Sequence, residues 1–362
     1  MEINKYISEK NIEKVLNECL SQNLTYLGIL INKIEQSDNE ISESYRKFLS
    51  MISSEETDII FNENEKKYLK SSPKKLRILL TCNWSDSKQI CDLWNRMSKN
   101  GDYSWDNIKI VWEEPCDYYC IINKPFDSSF KYIPEKTIVF RMEPNMESNA
   151  YFENWSKPNE KDFKFVGYHD KHFNNNEWHL SKTYQQLSSD KIEKNKDLSL
   201  TLSTILSNKY TDPGHIKRID FVKFLENKGD VDIHVFGQNK FNWKNYKGSL
   251  PPHQKDESLF PYKYSFNVEN FSIKNYYTEK LIDGILSETL VFYSGCYNVK
   301  EYIDERAFVY LDLSNFENDY EIIKKAIEED WWSQRIEYIR DAKKKILNEL
   351  QFFPRLEKII YK

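Results

Sequence analysis

The chain has 362 residues, a net charge of −5 from 52 Lys+Arg against 57 Asp+Glu, and a hydrophobic fraction of 40%. This length is too great for one small core and fits two or three domains of roughly 100–200 residues each. The lack of a basic excess argues against a general nucleic-acid binder. No run approaches the ~20 apolar residues that span a bilayer, so we expect no membrane span.

The chain start and the cysteines favour a cytoplasmic location. Residues 1–14 are polar and charged, without the apolar core of a signal peptide. The 6 cysteines form no C-x-x-C pair and fit no zinc motif, so we expect free thiols and no metal site. Aromatic residues make up 15% of the chain, which indicates either a large core or surfaces that stack against sugars.

Residues 1–70 are expected to be a helical extension. Apolar residues recur at helical spacing in three stretches, 12–20, 27–34 and 45–52. Such a segment either covers the next domain or serves as an interaction module, for instance for an oligomer.

Two successive α/β blocks follow, because short apolar strands alternate with amphipathic helices. We place them at residues 71–195 and 196–335, with a C-terminal helix at 336–362. Ligands of such sheets bind beyond the carboxyl ends of the strands, so the expected cleft lies between the two blocks.

The densest cluster of polar and aromatic residues runs from Pro261 to Lys280. Thr278 is expected near a helix N-cap, with Glu279 and Lys280 in the first turn. A helix N-terminus beside a lysine suits an anion, and a carboxylate there can accept hydrogen bonds from hydroxyl groups. The alternative is an ordinary capped helix.

The pattern Tyr-Lys-Tyr…Glu-Asn…Asn-Tyr-Tyr-Thr-Glu-Lys-Leu in this segment resembles the signature of the α-1,3/1,4-fucosyltransferase family, glycosyltransferase family 10. The resemblance covers roughly residues 75–315. It implies the GT-B fold, two Rossmann-like domains facing a cleft, and a GDP-fucose donor whose sugar is transferred with inversion. It also implies a set of donor-binding residues, namely Lys263, Glu269, Asn270, Tyr276, Glu279 and Lys280.

A second match places an arginine at the start of the first helix of the second block. Family members carry an arginine here that meets the donor pyrophosphate, and Arg218 resembles it. The planar guanidinium can donate two parallel hydrogen bonds to phosphate oxygens. The alternative is a surface arginine on an amphipathic helix, as we expect for Lys217.

A third match proposes the catalytic base. In the family, the catalytic glutamate directly follows a strand that residues 138–141 of this chain resemble. Glu143 is similar to that glutamate. Transfer to a hydroxyl needs a group that removes the proton. Three rival carboxylates remain open: Glu113, Glu114 and Glu147.

Other polar groups have weaker claims. His169 and Trp178 are acceptor-side candidates, with a surface histidine and a packed tryptophan as the alternatives. Asp230-Val231-Asp232 imitates a metal-binding motif, but it precedes a strand and is expected to be a turn.

The favoured function is therefore an inverting transfer of fucose from GDP-fucose to a hydroxyl of a glycan. No cofactor is required, although a divalent cation can assist the diphosphate. The alternatives are a transferase of the same fold that uses another nucleotide sugar, and a catalytically silent carbohydrate-binding or scaffold protein.

Overall fold

The computed structural model describes residues 75–127, 129–144, 160–173 and 177–362. Residues 74–362 form one compact unit. The predicted helical extension at 1–70 and the rival carboxylate Glu147 lie outside the described residues.

The first sheet has six strands in the order β2-β3-β1-β4-β5-β6. All neighbouring strands run parallel except β2 and β3. Central strands are buried on both faces, as their continuous apolar sequence predicts. The strand bounds are β1 Leu76–Cys82, β2 Ser104–Trp105, β3 Ile108–Val111, β4 Tyr118–Ile122, β5 Thr137–Phe140 and β6 Phe165–Gly167.

The second sheet also has six strands, in the order β12-β11-β10-β7-β8-β9, and all of its pairs are parallel. Its strands are β7 Leu202–Leu206, β8 Ile233–Gly237, β9 Tyr246–Gly248, β10 Tyr264–Val268, β11 Leu290–Ser294 and β12 Phe308–Tyr310. Crossover helices make a parallel sheet possible, so each block is a doubly wound α/β domain. The predicted pair of Rossmann-like domains is confirmed.

Eight α-helices cover the described part of the chain: α1 Ser87–Trp94, α2 Tyr184–Ser189, α3 Pro213–Lys228, α4 Asp256–Leu259, α5 Glu279–Leu286, α6 Phe316–Glu328, α7 Trp331–Lys345 and α8 Phe352–Ile360. Side chains cap several of them. Asp86 accepts a hydrogen bond from the Gln89 amide at the start of α1, and Thr278 caps α5 as its sequence predicts.

The C-terminal helix returns to the first domain. A π-helical turn, Ile346–Leu350, separates α7 from α8. The Phe352 ring lies 4.6 Å from that of Trp94, and the Asn107 amide donates to Glu357 at 2.7 Å. The last helix, α8, therefore packs against the first domain. The helices before it, α6 and α7, come directly after the last strand of the second sheet in the chain.

Within the described ranges, every helix is too short or too polar to cross a bilayer.

Candidate active site

The site is built where β10 ends. Glu269 follows β10 directly and is 1% exposed. Its carboxylate accepts hydrogen bonds from the Thr278 amide and hydroxyl, both at 2.7 Å, and from the Tyr293 hydroxyl at 3.3 Å. Burial raises the pKa of Glu269, and the Lys280 charge opposes this shift. The residue holds the N-cap of α5 against the strand end, so it is a positioning residue and not an exposed donor contact.

The first turn of α5 carries a lysine held among carboxylates. The Lys280 ammonium lies 3.1 Å from Glu279, 3.2 Å from the Thr278 hydroxyl and 3.6 Å from Glu269. Burial alone would raise the pKa of Glu279, but the charges of Lys280 and Lys255 outweigh it and hold that pKa well below its usual range. Glu279 is therefore ionised and available as an acceptor.

Helix α3 brings a second cation to the same edge. The Arg218 guanidinium donates to the Val268 carbonyl at 2.9 Å and to the Asn270 side-chain oxygen at 3.2 Å. Arg218 is 6% exposed, and its buried Nε has no hydrogen-bond partner among the described residues. A buried guanidinium with an unused donor is suited to an anionic ligand.

Close packing of α3 depends on a glycine in its first turn. The Gly214 amide donates to the Asn270 carbonyl at 3.0 Å, and a Cβ on Gly214 would lie 1.8 Å from the carbonyl oxygen of Glu269. Any side chain here would push the helix away from the β10 loop. The glycine thus lets the N-terminal ends of α3 and α5 converge.

A cavity of about 220 Å³ opens between these elements, beyond the carboxyl ends of β7, β8 and β10. Its charged lining combines Arg218, Lys280 and Lys255 with Glu279 and Asp283. The Lys255 ammonium contacts Asp283 at 2.9 Å and Glu279 at 3.4 Å. The cavity therefore offers cations for phosphate and carboxylates for hydroxyl groups.

The first domain contributes Glu143, which follows β5. The Asn123 side chain accepts hydrogen bonds from the amides of Met142 and Glu143, at 2.8 and 3.3 Å, and so fixes this turn. Glu143 keeps an exposed surface, but the surrounding protein desolvates its carboxylate and raises its pKa. The charges that act on it, Lys280 first and Glu279 next, belong to the second domain. Glu143 does not line the cavity itself, but it lies near enough to Lys280 and Glu279 for their charges to act on it.

The rival carboxylates beside β3 are placed differently. Glu114 accepts hydrogen bonds from the Tyr119 hydroxyl at 2.8 Å and the Cys116 amide at 2.7 Å. These bonds lower its pKa, and both Glu113 and Glu114 are exposed. The groups that shift the pKa of Glu114, Tyr119 and Cys116, belong to the first domain.

Most of the predicted donor residues converge on this cavity. Arg218, Glu279 and Lys280 line it, while Glu269 and Asn270 hold its walls. Tyr276 is buried beside them, and its ring lies 5.4 Å from that of His169.

Two predicted site residues must be corrected. Lys263 precedes β10 and so lies at the amino end of the sheet, where its ammonium contacts Asp330 at 3.0 Å. Trp178 is fully buried and donates its indole N–H to the Lys182 carbonyl, so no ring face is open to a sugar. The family resemblance had implied a donor-binding role for Lys263, and Trp178 had been an acceptor-side candidate.

His169 lies between the two domains. Its Nδ1 is 3.4 Å from the Asn275 carbonyl, and the Asn275 side chain donates to the His169 carbonyl at 2.5 Å. Burial lowers the pKa of His169. The contact ties the first domain to the β10–α5 loop, and an acceptor-side role stays a prediction.

Two cavity residues were missed from the sequence. Asp283 lies four residues after Glu279 on α5, a spacing that places both on one helix face and that could have revealed it. Lys255 comes from a loop before α4, and no local pattern marks it. Asp230 and Asp232 precede β8, as expected; Asp230 accepts a hydrogen bond from Lys324 on α6, and Asp232 accepts one from the Thr201 hydroxyl.

Comparison with known protein families shows the class to which this protein belongs. Residues 193–329 match the family model described as glycosyltransferase family 10 (fucosyltransferase), C-terminal. Together with the fold, this match shows a glycosyltransferase. This match agrees with the family resemblance seen in the sequence, over the second domain.

The solved structures resemble the chain in fold. An α-glucosyltransferase solved with UDP and a 13-mer DNA has a TM-score of 0.53 at 10% identity, over 80% of this chain and 100% of its own. An α1,3-fucosyltransferase solved with GDP has a TM-score of 0.46 at 18% identity, over 74% and 82%. A search of curated proteins by sequence found no match.

Proposed function

We propose that the protein is an inverting transferase that moves fucose from GDP-fucose to a hydroxyl of a glycan acceptor. One observation carries the proposal: Arg218 and Lys280 line the cavity at the end of β10, and Lys280 is also the charge that acts most strongly on Glu143 of the other domain. The family match over the second domain supports a GDP-sugar as the donor.

The two cations are assigned to the diphosphate. Negative charge grows on the departing GDP as the bond to the sugar breaks, and a buried cation lowers the energy of that charge more than an exposed one does. Arg218 offers its unpartnered Nε, and Lys280 offers a point charge at a helix N-terminus. Glu279 is assigned to donor hydroxyl groups, because its lowered pKa keeps it an acceptor.

Glu143 is assigned the role of base. The acceptor hydroxyl gives its proton to the Glu143 carboxylate while its oxygen attacks the anomeric carbon and GDP leaves from the opposite face. Its raised pKa makes the carboxylate a better proton acceptor than an ordinary glutamate. The mechanism needs no cofactor, and a divalent cation is left only a stimulating role at the diphosphate.

A second candidate is a transferase of the same fold that uses a different nucleotide. The α-glucosyltransferase of similar fold was solved with UDP, which motivates this alternative. A silent carbohydrate-binding protein is the third.

A panel of GDP-, UDP- and dTDP-sugars, read by thermal shift, separates them. A ligand that binds only the folded chain stabilises it by about 2.7 kcal/mol at 100 times its Kd. We expect GDP-fucose to give the largest shift. A larger shift with UDP- or dTDP-sugars would assign another donor, and no shift with any nucleotide sugar would support the silent protein.

A further inference from the structure

A cluster of three metal-ligating side chains lies outside the proposed active site. Glu177 and His179 are in the segment between β6 and α2, and His253 is in the loop before α4. One ligand atom from each residue lies within 4.8 Å of the others. The sequence did not predict this cluster, because 74 residues of chain separate His179 from His253 and no helical spacing links them.

The geometry is close to that of a bound ion. Two ligands of a zinc ion at bond lengths of about 2.1 Å lie roughly 3.3 Å apart in tetrahedral geometry. The Nε2 of His179 already lies 3.2 Å from Oε1 of Glu177. The other oxygen of Glu177 accepts a hydrogen bond from the Trp94 indole at 2.8 Å, which orients the carboxylate as an outer partner of a metal ligand does.

His253 has a ligand atom to offer. Its Nδ1 is buried and has no hydrogen-bond partner among the described residues. The ring stands edge-on to that of His179, with centroids 4.5 Å apart. Its φ of 55° is unfavourable for a non-glycine residue and costs about 1–3 kcal/mol. An orphaned nitrogen on a strained backbone is the pattern of a functional residue.

The two cations near the cluster, Arg96 and Lys255, have carboxylates beside them. Arg96 and Lys255 are the cations that act on His253. Lys255 is already paired with Asp283 and Glu279. Glu177, Asp283 and Asp256 are the anions that act on Arg96.

We propose that Glu177, His179 and His253 bind one Zn²⁺ or a similar divalent transition metal. Two imidazole nitrogens and one carboxylate oxygen suit such an ion better than Mg²⁺ or Ca²⁺, which take mostly oxygen ligands. The ion joins the segment after β6 to the loop that carries Lys255. It lies beside the donor cavity and takes no part in the transfer step.

Metal titration of the chelator-treated full chain tests this site, with the visible absorption of bound Co²⁺ and the melting temperature in Zn²⁺ as readouts. We expect one Co²⁺ per chain and a rise in melting temperature with Zn²⁺ but not with Mg²⁺. Glu177→Gln, which can keep the Trp94 contact, and His253→Asn, which tolerates the positive φ, should each weaken binding about 100-fold or more.

His172→Ala is the matched control. It removes a histidine from the segment between β6 and α2, which also carries Glu177 and His179, but His172 is not part of the cluster. We expect it to bind Co²⁺ like the parent chain. The proposal would be overturned if both Glu177→Gln and His253→Asn bound Co²⁺ as tightly as the parent chain. It would also be overturned if His172→Ala lost Co²⁺ affinity to the same extent as those two variants. Absence of a one-to-one Co²⁺ spectrum in the parent chain would overturn it as well.

Discussion

Two glutamates of the cleft have opposite pKa shifts, and the difference separates their proposed roles. Glu143 is desolvated with only partial compensation from Lys280, so its pKa rises. Glu279 is desolvated too, but two lysines compensate and its pKa falls well below the usual range. A carboxylate with a raised pKa suits proton transfer, and one with a lowered pKa suits hydrogen-bond acceptance.

Glu143→Gln should therefore reduce turnover about 100-fold or more and leave GDP binding nearly intact, as expected when a general base is lost. GDP release from GDP-fucose and calorimetric titration measure the two quantities. Glu113→Gln is the matched control, because it removes an exposed carboxylate after a strand of the same sheet. Near-normal turnover in Glu143→Gln, or an equal loss in Glu113→Gln, would reassign the base.

The pH profile adds a second check on Glu143. The base acts in its ionised form, so kcat/KM should fall as the pH drops through its pKa, and a raised pKa moves this fall above the usual ~4.3 of glutamate. The acid limb should disappear from the residual activity of Glu143→Gln. An unchanged acid limb in that variant would assign it to another group.

The cations at the end of β10 should govern donor affinity. Lys280→Ala and Arg218→Ala should each weaken GDP-sugar binding about 10- to 100-fold, the effect of losing a hydrogen bond to a charged group. Arg218→Lys should restore only part, because a point charge does not replace the guanidinium fork. Lys263→Ala, at the opposite end of β10, should bind as the parent does. If all four variants bound the donor as tightly as the parent chain does in calorimetry, neither Arg218 nor Lys280 would be a donor-binding residue.

At the scale of elements, the meeting of α3 and α5 at β10 depends on backbone contact. Gly214→Ala forces a Cβ against the Glu269 carbonyl, so we expect a loss of about 1–3 kcal/mol or more in unfolding free energy and weaker donor binding. Gly229→Ala, at the other end of α3, meets no atom within 4 Å but has a φ of +80°. It should cost about 1–2 kcal/mol and leave donor binding unchanged. Chemical denaturation and calorimetry distinguish the two effects.

Sequence patterns anticipated most of the central elements. The alternation of strands and helices could be predicted because central strands such as β4 are mostly buried and read as apolar runs. The two-residue β2 and the edge strands β6 and β9 were missed, since short edge strands lack that run. The assignments of Lys263 and Trp178 were wrong because neither a motif match nor an aromatic residue shows which end of a strand a side chain occupies or whether it is buried.

At the scale of the whole molecule, every donor-site candidate lies in the unit that spans residues 74–362. A chain that begins at Lys66 should therefore remain folded and hydrolyse GDP-fucose at the parent rate. Melting curves and GDP release compare it with the full chain. Aggregation of the shortened chain would show that the removed residues cover apolar surface of this unit.

The protein is proposed to transfer a sugar from GDP-fucose in this cleft. The most direct test of this proposal is the release of GDP from GDP-fucose by the purified full chain, compared with Lys280→Ala and with parallel UDP- and dTDP-sugars. We expect slow release from GDP-fucose in the parent chain, much reduced release in the variant, and little release from the other donors. Equal release by the parent chain and Lys280→Ala, or faster turnover of a UDP-sugar, would contradict the proposal.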